Sequence, residues 1–148
     1  MTSISRSSLV PAITMLAVGA TTLCAQTAES APFDGCDDGE FCIFEHRDGT
    51  GRHASLDEGT DNLGDPKVFR GVLNDKTSAV WNRDVDPWCI YEHADGGGHA
   101  GMIPKGFKGS ISRMRSKDGF RWNDKVSAVR KARWISPPRN PGASHFEC

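Results

Sequence analysis

A seven-residue phrase occurs twice in this chain. Asn74-Asp75-Lys76-Thr77-Ser78-Ala79-Val80 returns as Asn123-Asp124-Lys125-Val126-Ser127-Ala128-Val129, with a single difference. Each copy closes a longer unit, the first opening with Phe41-Cys42-Ile43-Phe44-Glu45-His46 and the second with Trp88-Cys89-Ile90-Tyr91-Glu92-His93. Two matched blocks in the same order, at nearly the same separation, make the chain a tandem of two like units. Any fold assigned to one half must therefore serve the other.

Within each unit the punctuation is that of short strands. Phe41 to His46 is rich in aromatic and branched residues, and the glycines Gly49 and Gly51 that follow mark a hairpin returning through Arg52 to Leu56. Residues 57–73 are polar and predict a loop with one short strand, and Ala79-Val80-Trp81 predicts the last strand of the unit. The second unit repeats the plan with strands at Trp88 to His93, Ala100 to Ile103, Ser110 to Arg115 and Ser127 to Arg133. No segment carries a helical apolar stripe. Eight short strands separated by turn signals predict an all-β, Greek-key sandwich or barrel.

The length, 148 residues, suits one domain with its own core but not two. Residues 1–31 stand apart from it. Arg6 precedes an apolar stretch from Leu9 to Leu23 and then small residues, the layout of a secretory signal, with cleavage expected after Ala20 or among Ala25, Ala28 and Ala31. The stretch is too short for a membrane span. Cys24 raises an acylated-cysteine reading, but Leu23 before it is not small. The domain is expected over 32–134, with units at about 36–83 and 87–134, followed by an irregular, proline-rich tail over 135–148. Removing the signal leaves Cys36, Cys42, Cys89 and Cys148, an even set that in an exported chain predicts two disulfides. Cys42 and Cys89 hold equivalent places, so the symmetric pairing is Cys36 with Cys42 and Cys89 with Cys148; two other connectivities remain open. No cysteine pair has close zinc-ligand spacing.

A net charge of −1 gives no reason to expect nucleic acid as a partner of the whole chain. A basic strip runs from Arg113 to Arg133, with Phe120 and Trp122 inside it and Trp134 after it, and reads first as a solvated sheet face. Catalysis finds little support. Neighbouring strand residues point to opposite faces, so Glu45 and Glu92 are expected to turn away from His46 and His93 and to bond the hairpin backbone. His53, His99 and His145 are not grouped by the sequence, Gly96-Gly97-Gly98 has no helix after it to present amides to a phosphate, and Trp81, Trp88, Trp122 and Trp134 read as core. The chain is expected not to be an enzyme. The repeated Asn-Asp-x-x-Ser turn, by contrast, offers carboxylate, hydroxyl and carbonyl oxygens, the hard ligands calcium prefers, while the same residues also shape turns by bonding nearby backbone.

The order aromatic-Glu, glycine hairpin, then Asn-Asp-x-x-Ser before a strand resembles the βγ-crystallin motif. The fuller wording, Cys-Ile-Phe/Tyr-Glu-His early and Asn-Asp-Lys-x-Ser-Ala-Val late, resembles a family of secreted bacterial metalloproteinase inhibitors with that fold, over about residues 36–134. The resemblance implies two Greek-key motifs forming one β-sandwich, and a calcium ion at each crossing of the motifs. Asp75 and Asp124 would give carboxylates, Ser78 and Ser127 hydroxyls, and Lys76 and Lys125 backbone carbonyls only. Two positions depart from the pattern. Gly49 and Gly96 replace the aromatic that packs over the hairpin, leaving that corner empty, and Ala79 and Ala128 replace the final serine of the calcium phrase. Calcium is therefore expected to bind weakly, in the extracellular range of about 10⁻⁴ to 10⁻³ M.

The implied function is that of a secreted, extracellular, monomeric inhibitor whose partner is a secreted protease. Its inhibitory loop is expected in the exposed linker Asn82, Arg83, Asp84, Val85, Asp86, Pro87, held between a strand and a disulfide. Two other classes fit the same residues: a calcium-stabilised structural module with no protease target, and a small antimicrobial or toxin-like protein working through the basic strip.

Overall fold

The computed structural model describes residues 31–116, 118–135 and 145–148, so the expected signal and lead over residues 1–31 lie, but for Ala31, outside the described residues. The described residues form nine short strands: β1 (Phe41–Phe44), β2 (His53–Leu56), β3 (Ala79–Asn82), β4 (Trp88–Tyr91), β5 (Ala100–Ile103), β6 (Lys108–Ser110), β7 (Ala128–Lys131), β8 (Arg133–Trp134) and β9 (Phe146–Glu147). The only regular helical pieces among the described residues are two single 3₁₀ turns, Phe69–Gly71 and Ala94–Gly96. The molecule is all-β.

The sheets exchange pieces between the units. One sheet runs β2-β1-β3-β6, all antiparallel, and its fourth strand comes from the second unit: Ala79 faces Ser110 and Trp81 faces Lys108. The other runs β5-β4-β7, and on its outer side Thr60 of the first unit bridges Val129. Each unit thus donates backbone to the sheet of the other, the arrangement of paired Greek keys. Two details differ from the sequence reading. The strand expected at Ser110 to Arg115 lies earlier, because the chain turns away after Ser110. The short strand expected in 57–73 reduces to the Thr60 bridge and the turn at Phe69.

Alternation along β1 and β4 builds the core. Phe41 and Ile43 point inward and meet Trp88 and Ile90 from the facing sheet, with the Phe41 and Trp88 rings stacked 4.7 Å apart. Val80, Ile103, Ile111, Trp122, Val126 and Val129 close around them. Burying each large side chain here contributes about 1.5–3 kcal/mol. Yet β1 and β4 are buried on both faces. The outer face of β1, with Cys42 and Phe44, is covered by the lead-in through Cys36 and Phe33, and the outer face of β4, with Cys89 and Tyr91, packs against Phe146 of the tail. Disulfides Cys36–Cys42 and Cys89–Cys148 fasten these two covers, which is the symmetric pairing. Of the tail expected to be irregular, residues 136–144 lie outside the described residues, and its end forms β9, which pairs with β8.

The hairpin corners are not empty. Phe33 donates its N–H to Gly49 O at 2.8 Å and sets its ring edge-on to Phe44 and Trp81. A side chain at Gly49 would put its Cβ 2.4 Å from that ring, so glycine is required there and its φ of +81° costs nothing extra. In the second unit the guanidinium of Arg130 fills the corresponding space, against Gly96 and over the Tyr91 ring. The missing aromatic is replaced from elsewhere in the chain, which a comparison of the repeats alone does not reveal.

Candidate functional site

The two repeated phrases meet. Asp75 N–H donates to Val126 O at 3.1 Å and Asp124 N–H to Thr77 O at 3.2 Å, so each turn is tied by backbone to the other unit's phrase. Their side chains cross in the same sense. Ser78 Oγ donates to Asp124 Oδ1 at 2.8 Å, and Ser127 Oγ donates to Asp75 Oδ1 at 3.0 Å. The serines are nearly buried, whereas Asp75, Lys76, Asp124 and Lys125 are exposed. Asn74 and Asn123 each donate their amide to the other carboxylate oxygen of the adjacent aspartate. Among the described residues no backbone N–H donates to either carboxylate, so the two carboxylates are held by side chains alone. Both aspartates sit in the left-handed region, at φ of +52° and +53°, a conformation that short polar side chains tolerate best among residues with a Cβ. Each crossing therefore gathers a carboxylate and a hydroxyl, and at one of them Asn123 Oδ1 also lies 3.4 Å from Ser78 Oγ. This is a hard oxygen set of the kind that suits calcium.

The linker Asn82 to Pro87 is less exposed than its composition implies. Asn82 is fully buried and donates its amide to Asp86 O at 3.0 Å and to Ile103 O at 3.2 Å. Asp84 is buried too, because its carboxylate accepts from the Trp88 indole at 2.9 Å and pairs with Lys131 at 2.9 Å. Burial alone would raise the Asp84 pKa, but Lys131, the indole and the backbone N–H groups of Val85 and Asp86 together hold it below the usual carboxylate value. Arg83 is drawn back onto Cys36 O, Asp38 and the Trp81 ring. Only Val85 projects from this frame, with 70% of its surface exposed.

A cluster that the sequence did not group lies on the second hairpin. His99 Nδ1 is 2.7 Å from Glu92 Oε2, its Nε2 is 2.6 Å from Asp118 Oδ2, and its ring stacks on Phe120. Glu92, and then Asp118, hold the imidazole above its ordinary pKa. Asp118 in turn is held down to about 2, first by the Ser116 hydroxyl and then by His99. A signal for the contact was available in the repeat. Glu45 grips Arg52 seven residues later, and Glu92 with His99 is the same pair in the second unit. Asp118 had no such counterpart. Both glutamates also accept the hairpin N–H at 3.2 Å, as expected. Glu92 is nonetheless not turned from His93, whose Nε2 lies 4.0 Å away, because β4 ends at Tyr91 and strand alternation ends with it. Trp134, expected in the core, is 57% exposed and stacks on His145.

Among solved structures the chain is similar to a βγ-crystallin from Ciona intestinalis, at 17% identity and a TM-score of 0.50 over 63% of this chain and 99% of that one. It is also similar to a structure concerned with the evolution of the eye-lens βγ-crystallin domain fold, at 15% identity and a TM-score of 0.52 over 63% of this chain and 84% of the other. An archaeal βγ-crystallin aligns at 21% identity and a TM-score of 0.48, over 64% of this chain and 99% of its own. The first two likenesses, with the exchanged strands, show the βγ-crystallin fold. No curated protein matches the sequence. The model of peptidase inhibitor family I36 matches residues 29–103, just over half of the chain, taking in the whole first unit and the first hairpin of the second. With the repeat, the fold and that match in agreement, the chain belongs to peptidase inhibitor family I36, a family of inhibitors and not of enzymes.

Proposed function

We propose that the protein is an exported inhibitor of secreted metalloproteinases that presents the Asn82 to Pro87 loop to its target. Family membership carries this reading. The loop's construction supports it. Asn82 and Asp84 brace the backbone from beneath, Asp84 N–H donating to Asn82 Oδ1 at 3.0 Å and Val85 N–H to Asp84 Oδ1 at 2.6 Å, so little ordering entropy is lost when Val85 enters a cleft. The two disulfides fit an oxidising, extracellular setting. The test is an activity assay of thermolysin-like metalloproteinases with micromolar purified protein. Inhibition is expected, weakened at least about tenfold by Val85→Asp, the cost of placing a charge in an apolar pocket. Full activity of every protease in the panel would end the inhibitor reading, while equal inhibition by the variant would move the contact to another loop.

Calcium belongs to the same proposal as a stabiliser. Asp75 with Ser127, and Asp124 with Ser78, would hold one ion each, with the carbonyls of Lys76 and Lys125 as further ligands, so that each ion ties one unit to the other. Binding is expected at about 10⁻⁴ to 10⁻³ M, with a rise in melting temperature at millimolar calcium that Asp75→Asn and Asp124→Asn each reduce. Titration without heat and without a melting shift would remove calcium from the account.

A further inference from the structure

In the second unit, three arginines surround one cavity of about 270 Å³ lined by Ser112, Arg113, Arg115 and Arg121. Arg115 and Arg121 form an isolated antiparallel bridge, so they stand directly opposite one another. Like charges in that relation repel, and a fold gains nothing from placing them so. Of the other described arginines, Arg52, Arg83, Arg130 and Arg133 each pair with a carboxylate, whereas Arg47 and Arg70 do not. Around this cavity no such pair occurs among the described residues. Asp118, the acidic residue of the same hairpin, is already bound to His99 and to the Ser116 hydroxyl. The Ser112 hydroxyl is bonded to Ser110 at 2.7 Å. Nor does the repeat demand arginine at these places, because the residues of the first unit that stand the same distance before Asn74 are Gly64, Pro66 and Val72.

We infer that Arg113, Arg115 and Arg121 form a binding site for a doubly charged tetrahedral oxyanion, a phosphate or sulfate group. Guanidinium forks match such an anion through paired N–H donors, and three of them compensate two charges and the mutual repulsion of the bridge at once. The cavity is just below the range of about 300–1,000 Å³ usual for small-molecule sites, which leaves room for a small organic substituent on the anion. The group could therefore arrive as a free ion or as an ester on a sugar.

The experiment is isothermal titration of the full mature chain, at low ionic strength held constant with chloride, against inorganic phosphate, inorganic sulfate and glucose 6-phosphate. Saturable binding of at least one is expected, with the dissociation constant raised at least about tenfold in Arg115→Gln/Arg121→Gln and unchanged in Arg133→Gln. Tighter binding of the sugar ester than of the bare ions would identify an ester site, and the reverse a free-anion site. Circular dichroism of the double variant confirms that it folds; were it to unfold, the single variant Arg113→Gln carries the same test. Absence of saturable binding of all three anions, or equal binding by the Arg133→Gln and arginine-cavity variants, would overturn the inference. Because none of these readouts involves a protease, failure here leaves the inhibitor proposal standing, and failure there leaves this one.

Discussion

Glu45 and Glu92 occupy matching places, and each grips a cation seven residues along its hairpin, but the two cations answer differently to pH. Arg52 holds the Glu45 carboxyl down to about 2 and stays charged throughout the useful range. His99 titrates within that range. Its folded pKa is raised, so its contribution is complete below the unfolded value of about 6.5 and is lost as pH rises through the folded one. Glu92 and Asp118 are lowered, so their contribution is lost only in acid, as pH falls through their folded values. Thermal melts of the wild type and His99→Gln are expected to differ most near pH 6 and to converge toward pH 9. A gap of constant size across that range would mean that the imidazole's charge plays no part. Asp84 gives a second residue-level expectation. Asp84→Ala strands a buried indole N–H and the Lys131 ammonium, and should cost about 3 kcal/mol in urea unfolding; Asp84→Asn, which keeps an acceptor for Trp88, should cost less.

Among the elements, the strands of each unit were legible because alternation and turn glycines are local signals: β1, β2, β4 and β5 fall where their apolar residues place them. β6 was misplaced because Lys108-Gly109-Ser110 carries no pattern of its own and becomes a strand only by pairing with β3. The covers over the outer faces were hidden for a similar reason. Phe33 and Phe146 lie outside the repeat, and nothing in the sequence near them names their partners. The crossed Asp and Ser pairs could be placed through the family pattern, whereas the buried bracing of Asn82 to Pro87 could not, since a polar loop looks exposed until Trp88 and Lys131 are brought beneath it. The two disulfides should be unequal in worth. They close intervals of 6 and 59 residues, and on the chain-entropy account the shorter contributes about 2 kcal/mol and the longer about 4. Chemical denaturation of Cys36→Ala/Cys42→Ala and of Cys89→Ala/Cys148→Ala is expected to show that order. The reverse order would indicate that the lead-in cover outweighs loop closure.

For the molecule as a whole, β6 of the second unit completes the first unit's sheet and Thr60 of the first unit bridges the edge of the second's, so each sheet is flanked by backbone from the other unit. A chain limited to residues 31–86 would lose β6, the Trp88 face of the core and both crossing contacts. It is expected to remain unfolded by circular dichroism and by the absence of dispersed amide resonances, and a cooperative melt from that fragment would show the exchange to be dispensable. The intact chain should accordingly melt in one transition, with calcium, if bound, shifting it as a unit.

That interlock bears on survival. A peptidase cuts a substrate only after several residues have come loose enough to thread its cleft, and the vulnerable population is set by the cheapest local opening. Where neither half can let go without the other, the cheapest opening approaches the cost of undoing the whole. A protein whose family works in the company of peptidases thereby offers them very little slack to bite.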